Sequence, residues 1–513
     1  MDARNKDRPA RPRRLRHASL AAALLLALVG VPWSQAHDWS SPVPREQRVA
    51  QAAQEQPSHW TLAWGGPQDG RPAAPSAQHC DRPPQTLELR HPDDALAAQR
   101  ERRDEDLRRR AERPASSRDA FGRLAEADAV SSAKSMVDAP SDVAAAPATR
   151  HGSPPSQPQP QSQPAPRPRD EAVSAGVVDD NADFGSYLAY RARNTHLPVR
   201  ARDVQERYGL TVHDASGRPV PDAQVSVHAG GQALALWART DSGGKAWLHP
   251  RVLRADLPDL LEVQASSGAA SGRALLRRGQ RDALQITLNA VAPRERTRLD
   301  LVFLVDATGS MADEIDKLKR SMRAMAEQIA RLPSRPDLCF ALVAYRDRGD
   351  AFFVRAHDFS NDLGAFQRQL GALQAAGGGD DPEALNEALH TAVHRLSWRG
   401  EGATRLVVLL ADAPPHLDYG APWYDDDMQG ALARGIKLFA VGASGLDATG
   451  EYVFRQTAQY TGGRFVFLTY ARAGDPSSGP GRETAHEVGG YSVESLDKLV
   501  VRLVREELAQ RSG

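Results

Sequence analysis

From Leu299 onward, apolar runs long enough for a β-strand alternate with stretches of helical periodicity, and no other feature restricts the fold of this chain as much. Strands that are apolar on both faces are buried and parallel, and parallel strands need crossover connections that bring helices onto the sheet. The runs are Leu299–Val305, Leu338–Tyr345, Phe352–Ala356, Arg405–Leu410, Lys437–Val441 and Arg464–Leu468. Helical patterns fall between them, the first over Asp313–Leu332 and the last over Val493–Gln510. The expected fold is α/β, a doubly wound, mostly parallel sheet spanning residues 293–513. Ala471–Tyr491, rich in Gly, Ser and Pro, is expected to form a long loop before the last helix.

Upstream the pattern is different. Residues 205–292 hold short period-two runs such as Val225-Ser226-Val227 between Gly, Pro and Asp turns, which predicts a small all-β sandwich. Val212-His213-Asp214-Ala215-Ser216-Gly217-Arg218-Pro219-Val220-Pro221-Asp222-Ala223 and Thr240-Asp241-Ser242-Gly243-Gly244-Lys245-Ala246 resemble stretches of carboxypeptidase-regulatory-like and bacterial Ig-like modules, which act as spacers. Residues 37–204 lack sustained apolar periodicity and include Ser153-Pro154-Pro155-Ser156-Gln157-Pro158-Gln159-Pro160, so a mostly disordered Pro/Gln/Arg-rich linker is expected. Inside it, Asp104/Arg108, Glu105/Arg109 and Asp106/Arg110 are spaced to support a solvated helix over Glu101–Arg113.

Residues 1–36 carry Arg4, Lys6, Arg8, Arg11, Arg13, Arg14 and Arg16, then an apolar run from Leu20 to Val31, then Ser34-Gln35-Ala36. That order is the pattern of a signal peptide, and the run is shorter than the ~20 residues that cross a bilayer. Arg13-Arg14 also spells a twin-arginine pair, but Leu15-Arg16-His17 interrupts what should follow, so the general export route is the simpler reading. The chain is therefore expected to be exported: periplasmic, at the cell surface or secreted. Lys+Arg and Asp+Glu balance at 65 each, which gives no reason to expect a nucleic-acid partner, and membrane contact is expected only through an uncleaved leader. Two cysteines allow at most one bridge; Cys339, inside an apolar strand, reads as a buried thiol, and Cys80, in sequence of low order, reads as free.

The chemistry is concentrated at Asp306-Ala307-Thr308-Gly309-Ser310, where an apolar strand ends in a carboxylate followed by two hydroxyls at alternate positions. Ligands bind beyond the carboxyl ends of strands in open α/β sheets, and hard cations such as Mg²⁺ take oxygen ligands. The same residues also suit an ordinary N-cap for the next helix. Gly377-Gly378-Gly379-Asp380-Asp381-Pro382-Glu383 brings further acids after a flexible turn, with Pro382 suited to a first helical turn, or else is only a charged helix start. Leu406-Val407-Val408-Leu409-Leu410-Ala411-Asp412 is a second buried strand running into an aspartate, or into a terminating turn.

These three motifs, in this order, resemble the von Willebrand factor A family over roughly residues 297–513. The resemblance implies a metal-ion-dependent adhesion site, with Thr308 and Ser310 as direct ligands and Asp306 and Asp412 holding the ion mostly through its waters. Asp380-Asp381-Pro382-Glu383 is similar to the Asp-x-Pro-Glu stretch of integrin β-type members, which implies a metal role for Glu383 and for Asp380. The implied cofactor is Mg²⁺, with Mn²⁺ or Ca²⁺ as substitutes, and the implied partner is a protein offering an acidic side chain to an open coordination position. Trp423, Tyr424 and Asp425-Asp426-Asp427 are expected to start a helix, or to add specificity on the same rim.

Several short matches point elsewhere and are set aside. Thr240-Asp241-Ser242-Gly243-Gly244 is like a protease nucleophile stretch, but the histidine stretch such a site requires does not precede it, and Gly243-Gly244-Lys245 suits a hairpin turn between strands at Trp237 and Trp247. Arg348-Gly349-Asp350 is expected to be a turn. His-Glu-x-x-His, Gly-x-Ser-x-Gly and Gly-x-x-x-x-Gly-Lys-Ser/Thr do not occur, so no enzyme is expected. The leading expectation is a metal-dependent binding or adhesion module. The alternative is an envelope scaffold or assembly factor in which the metal is only structural.

Overall fold

The computed structural model describes residues 80–89, 172–253, 256–291, 297–379, 381–400 and 402–510. The leader, the Glu101–Arg113 segment and the Pro/Gln tract lie outside the described residues. Residues 80–89 and 172–204 are ordered, which corrects the expectation of a mostly disordered linker there. They supply strand β1 (Thr86–Leu89), strand β2 (Ser174–Val178) and helix α1 (Phe184–Arg193). Asp183 caps α1 by accepting a hydrogen bond from the Ser186 amide.

The next stretch forms two sheets. Strands β3 (Tyr208–His213), β6 (Lys245–Leu248) and β9 (Leu284–Thr287) make one; β4 (Gln224–Ala229), β5 (Gln232–Arg239), β7 (Leu260–Ser267) and β8 (Ala270–Arg277) make the other. Alternate residues of β3, β4 and β7, among them Leu210, Val212, Val225, Val227, Leu261 and Val263, are buried in a shared core. The Asp241–Lys245 turn forms as expected, with the Gly244 amide donating to the Asp241 carbonyl at 3.0 Å. It does not close a hairpin, however, because β5 and β6 belong to different sheets.

The remaining elements build the α/β body. Strands β10 (Arg298–Asp306), β11 (Asp337–Tyr345), β13 (Ala403–Ala411), β14 (Ile436–Gly442) and β15 (Arg464–Thr469) are parallel, in the order β11-β10-β13-β14-β15. Strand β12 (Val354–Ser360) joins β11 antiparallel. The side chains of β10 alternate between two cores. Leu301, Phe303 and Val305 meet α2 (Ile315–Ala330), α3 (Leu363–Ala372) and α7 (Leu496–Ala509), while Val302 and Leu304 share a core with α4 (Leu385–His390), α5 (Tyr424–Arg434) and α6 (Ala448–Tyr460).

Residues 293–513 do not make up the whole of this body, which corrects the boundary read from sequence. β1 pairs antiparallel with β12 at one edge, and β2 pairs with β15 and with β16 (Glu494–Ser495) at the other, giving nine strands. A second correction concerns the cysteines: Cys80 and Cys339 form a disulfide, with Cα atoms 6.0 Å apart. The bridge ties the segment leading into β1 to the buried strand β11.

The two-sheet module sits at the amino ends of the parallel strands. Asp222 accepts from Arg405 near the start of β13 at 2.6 Å, and both side chains are buried. Asp241 is 3.3 Å from Lys437 at the start of β14, and Ser242 is bonded to Thr404 at 2.9 Å. Met428 and Leu432 of α5, and Tyr452 and Tyr460 of α6, enter the module's core. At ~3.3 Å per residue, the nine-residue strands place the module roughly 25 Å from their carboxyl ends. Among the described residues, no helix is long and apolar enough to cross a membrane.

Candidate metal centre

At those carboxyl ends, β10 stops at Asp306 and β13 runs into Asp412. Asp306 is fully buried, and its Oδ1 accepts from both the amide (2.9 Å) and the hydroxyl (2.6 Å) of Thr308. Thr308 stands at the N-cap of the short 3₁₀ helix Gly309–Asp313 but makes no capping bond with its side chain. The Thr308 side chain therefore does not act as a cap. Ser310 Oγ lies 3.0 Å from Thr308 Oγ1 and donates to Asp412 Oδ1 at 3.1 Å. Each hydroxyl has one proton, and here each proton is directed to a carboxylate. The two hydroxyl oxygens thus stand side by side between two carboxylates, within hydrogen-bond distance of each other.

The glycine loop completes the wall. The Gly377 carbonyl accepts from the Gly309 amide at 2.8 Å, and Gly378 (φ +72°) donates to Asp350 Oδ2 at 2.8 Å. A Cβ on Gly378 would lie 2.7 Å from Glu383 Oε1 and 3.1 Å from Thr308 Cβ, so this position must be glycine for Glu383 to approach Thr308. The Glu383 backbone is fixed by its amide donating to the Pro414 carbonyl (3.0 Å) and its carbonyl accepting from the His416 amide (3.1 Å). Pro382 precedes α4 rather than opening it, and the Asp381–Pro382 peptide is cis. Asp306, Thr308, Ser310, Glu383 and Asp412 thus converge. Asp380 lies outside the described residues.

Electrostatics support a cation. Burial, with Asp412 next, pushes Asp306 up to about 7. Burial pushes Asp412 up to about 6, with Asp381 adding to the effect. Glu383 is pushed up to about 9 by burial and then by Asp306, Asp347, Asp381 and Asp350. Glu383 Oε2 is buried and finds no hydrogen-bond partner among the described residues, and the buried Tyr345 hydroxyl is the group that faces Asp306. An unpartnered acceptor among mutually repelling acids fits a hard divalent ion, whose oxygen preference matches this donor set.

Other site residues were not singled out from sequence. Asp350, in the Arg-Gly-Asp turn, braces the glycine loop, and Glu314, near Asp412, accepts from the Ser444 amide at 3.3 Å and from the Tyr470 hydroxyl. The sequence marked Asp350 only as part of a turn and did not mark Glu314, since the contacts of each depend on loops from distant parts of the chain. The rim reading of Asp425-Asp426-Asp427 is corrected. Asp425 is buried against Arg200 (2.5 Å) and Arg202 (2.6 Å), Asp426 pairs with Arg202, and Asp427 turns toward two histidines. Trp423 and Tyr424 open α5 instead, with the Tyr424 hydroxyl donating to the Arg200 carbonyl.

Residues 300–415 match the von Willebrand factor A domain family, a stretch that contains every residue of the site. The chain is 31% identical over 161 residues to the alpha-protein kinase vwkA of Dictyostelium discoideum, covering 30% of this chain and 24% of that protein. It is 36% identical over 93 residues to von Willebrand factor A domain-containing protein 7 of Homo sapiens, covering 18% of this chain and 10% of that one. The chain therefore spans a quarter or less of either relative. Among solved structures, the conserved hypothetical protein BatB from Bacteroides thetaiotaomicron aligns at a TM-score of 0.28 and 15% identity over 41% of this chain and 98% of that one, too distant to bear on the fold. Residues 300–415 are thus similar to a von Willebrand factor A domain, and the chain is a von Willebrand factor A domain-containing protein.

Proposed function

We propose that the chain is an exported binding protein that recognises an acidic group on a protein partner through a divalent cation held by Asp306, Thr308, Ser310, Glu383 and Asp412. The single observation that carries this reading is the convergence of the two hydroxyls with the acids: Thr308 Oγ1 lies 2.6 Å from Asp306 Oδ1, Ser310 Oγ lies 3.1 Å from Asp412 Oδ1, and the two hydroxyl oxygens are 3.0 Å apart. A bound Mg²⁺ supplies positive charge and coordination positions beyond those that the protein fills, one of which suits a carboxylate. The protein's own residues provide the rest. Asp306 and Asp412 fix both hydroxyls, and the Gly377-Gly378 turn lets Glu383 approach.

The two-sheet module packs at the opposite end of the strands, consistent with a spacer that leaves the site open to a partner. The hydroxyls of Thr308 and Ser310 face carboxylates rather than an imidazole, so we read a binding site and not a nucleophile. Export agrees with the Cys80–Cys339 bridge, since disulfides persist in oxidising compartments. The test is calorimetric titration of Mg²⁺ and Mn²⁺ into the full chain and into Ser310→Ala. Binding to the first and none to a folded second is expected; a folded wild-type chain that takes up neither ion overturns the proposal.

A further inference from the structure

A second constellation lies on the α4/α5 side of the body and shares no residue with the first. Its three donors come from two helices. His390 ends α4, His394 lies four residues on in the single π-turn Thr391–Arg395, and Asp427 stands in the first turn of α5. Asp427 Oδ1 is 3.0 Å from His390 Nδ1 and 2.9 Å from His394 Nε2, and the two imidazole rings are 4.6 Å apart. One donor atom from each residue falls within 4.8 Å of the other two.

Three features go beyond a hydrogen-bonded surface cluster. Asp427 is only 3% exposed, yet its Oδ2 has no hydrogen-bond partner among the described residues. Gly430, one turn along α5, leaves the space that His394 fills, because a Cβ there would lie 2.8 Å from His394 Cε1 and 2.9 Å from Nε2. Glycine inside a helix is less favourable than alanine, so the space is made at some expense to α5. π-Turns are rare and concentrate at functional sites, and this one sets His394 beside His390. The Arg434 guanidinium holds the turn by donating to the Val393 carbonyl at 2.8 Å.

The geometry points to a Zn²⁺ site formed by His390, His394 and Asp427. Two imidazoles and a carboxylate form a donor set that zinc accepts with three protein ligands, leaving a fourth position for water. With Zn–N and Zn–O bonds of ~2.0–2.2 Å, tetrahedral ligand atoms stand ~3.3 Å apart. The observed 2.9 and 3.0 Å spacings need to open by only a few tenths of an ångström. The ion would replace the protons that now bridge both rings to one carboxylate oxygen, and would clamp the turn after α4 to the start of α5.

The test is titration of the full chain with Co²⁺ as a spectroscopic probe. A tetrahedral nitrogen and oxygen environment gives intense visible bands, whereas an octahedral oxygen site gives weak ones. The expected result is a single equivalent with intense bands that Zn²⁺ displaces and excess Mg²⁺ does not. Ser310→Ala should retain these bands. His394→Gln and Asp427→Asn should each weaken Co²⁺ by more than ~100-fold, since losing even an outer-shell partner costs 10–100-fold. A wild-type chain that shows only weak octahedral bands overturns the proposal without reference to any variant, as do intense bands that survive in a folded Asp427→Asn chain.

Discussion

Replacing Asp306 with asparagine should stabilise the protein in EDTA while abolishing its response to Mg²⁺. Burial and the neighbouring Asp412 carboxylate move Asp306 from 3.8 up to about 7 in the folded chain. Because the folded value exceeds the unfolded one, the folded state binds more protons between the two values, and stability falls as pH rises through that window. At ~1.4 kcal/mol per pH unit, ionised Asp306 opposes folding by about 1.5 kcal/mol at pH 5 and about 4 kcal/mol at pH 8. Asparagine keeps the shape and removes the charge, so its advantage over wild type should grow by about 2–3 kcal/mol between those pH values. Asp306 also raises Glu383, so the substitution relieves that group in the same direction; the protons belong to the cluster as a whole. Urea unfolding of both chains at pH 5 and pH 8, in EDTA and then in Mg²⁺, reads all of this. A variant whose stability tracks wild type at both pH values, or one that Mg²⁺ stabilises as much as wild type, refutes the reasoning.

Two further outcomes test the frame around the site. Asp222→Ala leaves the Arg405 guanidinium buried with its carboxylate partner removed and should cost about 3–5 kcal/mol, read as a lower unfolding midpoint. Gly378→Ala places a methyl group against Glu383 and Thr308 at φ +72° and should abolish Mg²⁺ uptake in calorimetry while far-ultraviolet circular dichroism stays that of wild type.

The parallel strands could be read in the sequence because burial on both faces makes each of them a continuous apolar run, as in Leu301 to Val305. The two added strands could not. β1 is four residues long and mostly exposed, and β2 is five residues containing a glycine, so neither shows a period; their partners lie hundreds of positions away. The same distance hid the bridge, since 259 residues separate Cys80 from Cys339. In the site, Asp306, Thr308 and Ser310 were legible because one strand end and an alternating spacing place them together. Asp412 and Glu383 joined them on their own motifs. Asp350 and Glu314 were not legible, because loop packing alone brings them near; the acids after Tyr424 start a helix as expected, while their partners, Arg200, Arg202 and the histidine pair, are remote in sequence and could not be read from it.

The strands at both rims of the sheet also govern how the body behaves when cut. Without them, β12 and β15 would each present a row of free amides and carbonyls, the template on which one sheet adds to another. A fragment starting at residue 293 would lose both covers at once, so its hazard is self-association rather than simple loss of stability. Proteolysis between the bridge and β2 carries a milder penalty, because the disulfide would keep β1 attached to its edge after the chain is broken.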